Sequence, residues 1–228
     1  MIPLSDNNPR RRVPVVTMII IFVNVLVWLY EVLLPAPALN QFFASLALIP
    51  LRITSAPDAS AIFSLFSSMF MHAGWLHIIG NMLYLWIFGD NVEDRLGHVL
   101  FLLFYLAGGV LAALAQVAFT PASQVPILGA SGAIAAVLGA YLVLFPHQRV
   151  RNLIIFFGFV RTVELPAILV LGLWFVLQTL SGITAFATTA SGGTAWFAHI
   201  GGFIFGLLVG ALARQLDRAK SSPYFIPR

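Results

Sequence analysis

Ser131, His199, His77 and Asn81 are the residues of this sequence best suited to chemistry. A hydroxyl beside an imidazole is a nucleophile beside its base. A second imidazole and a carboxamide are donors that can hold the oxyanion formed when a carbonyl is attacked. All four lie in long apolar runs, where polar side chains are costly and tend to mark function. Asn81 follows His77 by four residues and so shares its face on a helix. Taken singly, each also fits a packing role. Ser131 stands between Gly129 and Gly132 in a small-residue stretch, and one His or Asn in a span can simply bond a neighbouring helix.

The elements that must position these groups are membrane spans. Of 228 residues, 60% are hydrophobic and 9% charged, and mean hydropathy is +0.96; a soluble domain carries about a quarter of its residues as charges. Hydropathy predicts six spans, near Val13–Leu34, Met69–Phe88, Val99–Phe119, Ile127–Phe145, Leu165–Leu180 and Ala195–Ala213. The expected fold is an all-α polytopic bundle of six transmembrane helices over residues 13–213. It is flanked by a cytoplasmic N-terminal segment, 1–12, and a polar cytoplasmic tail, 214–228. Pro35 to Leu65 reads as a long connection, and Gly89 to His98 as a short charged turn. Leu153 to Val160 is too short to cross and reads as interfacial or as the approach to span five. The small-residue stretch Ser181 to Thr194 is expected to cap the site from outside. Trp174 and Phe175 are expected to face lipid.

With the N-terminus in the cytoplasm, eleven of the twelve Lys and Arg fall on the cytoplasmic side and only Arg52 lies outside. The pI near 10.0 therefore reads as topology, with the lipid bilayer and not nucleic acid as partner. Spans two, four and six then run inward. Ser131 lies fourteen residues above Phe145, His199 thirteen above Leu212 and His77 eleven above Phe88. At about 1.5 Å per residue, all three sit roughly 16–21 Å up, in one layer open to water from outside. That coincidence favours chemistry over packing.

Other chemistries lack their groups. There is no cysteine, no HExxH and no pair of intramembrane aspartates. No metal or cofactor is expected. A channel or transporter would show repeats or polar residues through the full depth of the bilayer.

Gly129-Ala130-Ser131-Gly132 resembles the GxSG motif of the rhomboid family. His77-Ile78-Ile79-Gly80-Asn81 is similar to its HxxxN, and Ala198-His199-Ile200-Gly201-Gly202 resembles the AH motif of its last core span. Gly89 to Gly97, with Glu93 and Arg95, looks like its conserved turn after span two. The match covers nearly the whole chain, in order, and resembles the bacterial six-span type. It implies an intramembrane serine protease with Ser131 as nucleophile, His199 as base and no third acid. The oxyanion would be held by the Ser131 N–H, His77 and Asn81. The implied partners are transmembrane segments of other membrane proteins, entering between spans two and five, and the implied location is a bacterial inner membrane. The alternative is a rhomboid relative that escorts membrane proteins without cutting; such a protein is expected to have lost the serine or histidine. Two positions depart from the pattern. Ile62-Phe63-Ser64 replaces a Trp-Arg pair in the first outer loop, and Ala135 replaces an aromatic that stacks on the catalytic histidine. Gly202, Gly206 and Gly210 make two GxxxG steps for close helix packing. Glu93 with Arg95 is expected to pin the turn, and His72 to help hold water at the site.

Overall fold

In the computed structural model, which describes residues 2–156, 159–187 and 195–220, the apolar runs fold as helices and the proline-bearing segments break them. Strand β1 (Ile2–Asp6) leads into α1 (Val15–Leu33). The long connection carries three short helices, α2 (Ala36–Leu46), α3 (Pro50–Ser55) and α4 (Ala59–Ser67). Helices α5 (Trp75–Leu96), α6 (His98–Phe119) and α7 (Ser131–Leu144) follow. A hairpin of β2 (Arg149–Phe156) and β3 (Phe159–Pro166) precedes α8 (Ala167–Ala187) and α9 (Trp196–Lys220).

Four helices, α1, α6, α8 and α9, are long and apolar enough to cross a membrane; a fifth span counts if α5 is joined to the Ala59–Phe70 stretch, from which it bends by 78°. Helix α7 has 14 residues, about 21 Å of helix against a hydrocarbon core of about 30 Å. The chain is thus a mostly helical, polytopic bundle.

Several expectations need correction. The chain is not all-α: β1, β2 and β3 form an antiparallel sheet in that order. Val150 and Asn152 are buried while Arg149 and Arg151 are exposed, the period-two alternation of a strand. The segment Gly89 to Leu96 is not a turn but the last two turns of α5, and the chain reverses only at Gly97, whose φ of 82° suits glycine. The helix expected from Ile127 begins only at Ser131. Ser181 to Ala187 belongs to α8, and 188–194 lie outside the described residues. Arg214 to Lys220 continues α9 instead of starting a tail, and 221–228 also lie outside them.

Helix α7 is the hub, packed against α5, α6, α8 and, most extensively, α9. A Cβ at Gly206 would collide with the Ala136 carbonyl, and one at Gly202 with the Gly132 carbonyl. One at Gly210 would lie 3.0 Å from the Ala140 backbone. The two helices therefore touch backbone to backbone along the GxxxG face, as small residues allow in lipid.

The end of the bundle away from Ser131 is tied by charges. Glu93 is 1% exposed. It accepts from the Val16 N–H (2.8 Å), the Thr17 N–H (2.7 Å) and the Thr17 hydroxyl (2.7 Å), and so caps the start of α1. Arg95 pairs instead with Asp217 on α9. Glu93 and Arg95 thus pin two different helices rather than one turn. Asp6 of β1 accepts from the Tyr141 hydroxyl (2.5 Å) on α7 and from Asn91 (3.1 Å) on α5.

Two outcomes follow from these contacts. Gly206→Ala must push α9 from α7 and should cost about 1–3 kcal/mol, as overpacking does; an unchanged thermal midpoint in detergent would contradict the backbone contact. Burial raises the Asp6 carboxyl to about 6, against the opposing Tyr141 hydrogen bond. The folded state therefore binds that proton more tightly than the unfolded chain does. The stabilisation is fully present below the unfolded pKa of about 4 and is lost as pH rises through the folded value. The wild-type midpoint should fall between those pH values, and Asp6→Asn should flatten the slope. An equal slope in the variant would remove Asp6 as its source.

Candidate active site

Ser131 is the first residue of α7 because the chain before it cannot be helical. Pro126 biases its predecessor toward extended backbone, and Gly129 sits at φ 125°. Gly129 is required a second time by space. A Cβ there would lie 2.6 Å from His77 Cε1 and 2.7 Å from its Nε2. The His77 ring thus lies against the backbone just ahead of the serine. The first N–H groups of a helix have no intrahelical acceptors and carry the positive end of its dipole. Ser131 contributes one of these.

His199 occupies the first turn of α9, and that turn is capped from another helix. Gln116 of α6 accepts from the N–H groups of Phe197 (3.0 Å) and Ala198 (3.2 Å). The His199 ring is 7% exposed, and its Nε2 lies 2.8 Å from Ser131 Oγ. Its Nδ1 lies 2.8 Å from Gln178 Oε1 on α8. Trp174, one turn before Gln178, holds its ring centroid 5.9 Å from the imidazole at 38°, and Trp196 approaches edge-on at 6.3 Å. Trp174 thereby supplies from α8 the aromatic contact that Ala135 does not.

His77 Nδ1 accepts from the Ala73 N–H at 3.5 Å, which leaves Nε2 to carry the ring proton on the side facing Gly129. Asn81 is 8% exposed, and its Nδ2 has no hydrogen-bond partner among the described residues. Two side-chain donors and a helix N-terminus thus converge beside a hydroxyl bonded to an imidazole. Such a set can attack a carbonyl carbon and hold the negative charge that develops. The residues line one cavity of about 1570 Å³, with α5 on one side and α8 on the other. Those two helices make at most slight contact with each other among the described residues.

The structure brings together Ser131, His199, His77, Asn81 and Gly129. Gly132 packs toward Ala112 and Ala198, and Gly202 toward Gly132. Glu93 and Arg95 lie at the far end of α5, away from the site. His72 is fully buried behind His77, their ring centroids 5.1 Å apart. Its N–H donates to Glu31 at 3.2 Å, and it does not line the cavity. Trp174 and Phe175 do not form a lipid-facing panel. Phe175 stacks on Phe203 at 4.4 Å, and the exposed large apolar residues of α8 are instead Ile168, Leu169, Leu173, Val176, Leu177, Leu180 and Ile183. Sequence reasoning passed over Gln178, Gln116 and Glu31. Each is a polar residue in an apolar run, and Trp174 and Gln178 share the four-residue spacing that singled out His77 and Asn81.

A family model described as the Rhomboid domain matches residues 59–216. The mitochondrial Rhomboid protein 1 of Saccharomyces cerevisiae is 31% identical over 152 residues, 64% of this chain and 40% of that protein. The Rhomboid protease GluP of Bacillus subtilis is 34% identical over 147 residues, 64% of this chain and 25% of that one. The mitochondrial Presenilin-associated rhomboid-like protein of Bos taurus is 30% identical over 158 residues, 68% of this chain and 39% of that one. The chain therefore spans less than half the length of these curated relatives. The matched region contains every residue of the cavity's polar cluster, and with the apolar helices that carry it the chain is an integral membrane protein of the rhomboid family.

Proposed function

We propose that this protein is an intramembrane serine protease that hydrolyses peptide bonds in or near transmembrane segments of other membrane proteins. The observation that carries the reading is the 2.8 Å contact between Ser131 Oγ and His199 Nε2 at the head of a helix flanked by unpaired donors. His199 takes the hydroxyl proton as Ser131 attacks the scissile carbonyl, and later gives it to the leaving amine. The Ser131 N–H, His77 Nε2–H and Asn81 Nδ2–H hold the oxyanion. Water then cleaves the acyl-enzyme by the same proton path in reverse. No carboxylate hydrogen-bonds His199 among the described residues, in keeping with a dyad and not a triad.

The helices α1, α5, α6, α7, α8 and α9 are taken as six spans. The basic residues favour both termini in the cytoplasm. Arg10, Arg95 and Arg214 make their contacts at the end away from Ser131. The recessed start of α7 leaves the serine below the outer surface, reachable by water. A substrate helix enters laterally between α5 and α8. The relative from Bacillus subtilis that is named a protease supports the activity. A non-cutting escort has no use for a serine held in contact with a buried imidazole.

Ser131→Ala and His199→Ala should each reduce cleavage of a single-span substrate in liposomes to background. The double variant should be no worse, because the pair acts as a unit. Clear residual turnover in Ser131→Ala would mean another nucleophile. Asn81→Ala should lower kcat by about 10²–10³ with KM little changed; a raised KM at unchanged kcat would assign Asn81 to binding instead.

A further inference from the structure

A base works only if its proton-accepting nitrogen faces the nucleophile. An imidazole has two nitrogens and, when neutral, one proton to divide between them. In this protein Ser131 Oγ must donate to His199 Nε2, so the ring proton belongs on Nδ1. Nδ1 therefore needs an acceptor, in a place where water is scarce and an unpaired donor is costly. The acceptor on hand is the carboxamide oxygen of Gln178, at 2.8 Å. Gln178 lies on α8, not on either of the helices that carry the dyad. The indole of Trp174 lies one turn away, 5.9 Å from the same imidazole.

We propose that Gln178 is the positioning residue of His199: it fixes the Nδ1–H tautomer and aims Nε2 at Ser131. It takes the place of a triad's acid without bringing a charge. Trp174 bounds one side of the ring, so that α8 supplies both the acceptor and a wall. An amide acceptor has a consequence of its own. A carboxylate in that position would stabilise the imidazolium and would hold His199 protonated to higher pH. The amide accepts the same hydrogen bond without adding a charge beside the ring. Helix α8 also forms one side of the cavity. Displacing α8 outward therefore breaks the hydrogen bond that keeps the base in register.

The proposal rests on the dyad reading above, and its test separates the two. Cleavage and labelling of the serine by a fluorophosphonate are measured in liposomes for wild type, Ser131→Ala, Gln178→Met and Gln178→Glu. Wild type that neither cleaves nor labels would remove the dyad itself. Given an active wild type, Gln178→Met keeps length and volume but removes the acceptor. It should lower kcat and the labelling rate about tenfold, as loss of one neutral hydrogen bond does, with KM unchanged. Gln178→Glu restores an acceptor. It should recover most of the rate at high pH while moving the acid limb of the pH–rate profile upward by about one unit or more. A residue that merely packs would not move that limb.

A second readout needs no turnover. In Ser131→Ala protein with ¹⁵N-labelled histidine, the His199 nitrogen shifts should report the Nδ1–H tautomer. Adding Gln178→Met should abolish that preference. A Gln178→Met enzyme of wild-type rate, a Gln178→Glu profile superimposed on wild type, or an unchanged tautomer in the Gln178→Met protein would each overturn the proposal.

Discussion

The contact on which the structure depends is the backbone-to-backbone approach of α7 and α9. Between helices in lipid there is no hydrophobic driving force, since the tails are as apolar as the side chains; close packing and hydrogen bonds must supply the association. Gly202 meets Gly132, Gly206 meets Ala136, and Gly210 meets Ala140. Each pair is separated by the same offset along the chain, so the helices run parallel and their register is fixed three times. Ser131 and His199 stand just beyond the first of these contacts. Their 2.8 Å separation is thus set by a stripe of residues that take no part in chemistry.

That arrangement explains what could be read from the sequence. Counting residues from the far ends of their helices matches Ser131 with His199 because α7 and α9 run parallel and in register. The GxxxG steps pointed to a close approach for the same reason. Hydropathy failed where composition does not report conformation. Ile127 and Leu128 are apolar yet not helical, so hydropathy alone sets the start of α7 four residues too early. The acids after Gly89 looked like a turn, but Glu93 and Asp90 have partners on α1 and the N-terminal segment, which let α5 continue. Trp174 and Phe175 looked suited to lipid because an aromatic suits lipid and a protein core equally. Only their contacts with α9 decide between them. The sheet was hidden for a similar reason: Leu153 to Val160 is too short to span, and although β2 and β3 pair with each other as neighbours, the strand that completes the sheet, β1, lies far away in sequence.

The shortness of α7 also accounts for the otherwise puzzling length of the connection between α1 and α5. An extended segment at membrane depth is tolerated only if its backbone groups are satisfied by protein. Residues 121–130 are not helical, so their backbone groups need partners from elsewhere, and the connection supplies them. Leu48 and Ile127 exchange both backbone hydrogen bonds, Leu51 donates to Ser123, and Gly129 donates to Ser68 at 2.8 Å. The Thr54 hydroxyl donates to the Pro121 carbonyl at 2.8 Å. Helices α2, α3 and α4 thus form a bracket for the chain that delivers Ser131. The loop holds its place through these backbone bonds, without the Trp-Arg pair expected at Ile62-Phe63-Ser64.

The two ends of the bundle are built on different principles, and the difference bears on how the site can open. At the charged end every element is cross-tied. Glu93 caps α1, Arg95 reaches α9, Arg10 meets Asp90, and Asp6 joins β1 to α5 and α7. The buried Glu93 carboxyl accepts three hydrogen bonds at the start of α1 and lies 2.6 Å from His98 Nδ1, bonds that offset the cost of burying it. At the other end α8 meets α9 through ring contacts of Trp174 and Phe175, the approach of Gly182 to Trp196 and Ile200, and the Gln178–His199 hydrogen bond, while its contact with α5 is slight among the described residues. Strong ties placed far from the serine fix the α7–α9 register without closing the α5–α8 face. On the proposed reading, a bundle held equally tightly at both ends would keep its dyad geometry but leave no lateral path for a peptide bond to reach Ser131.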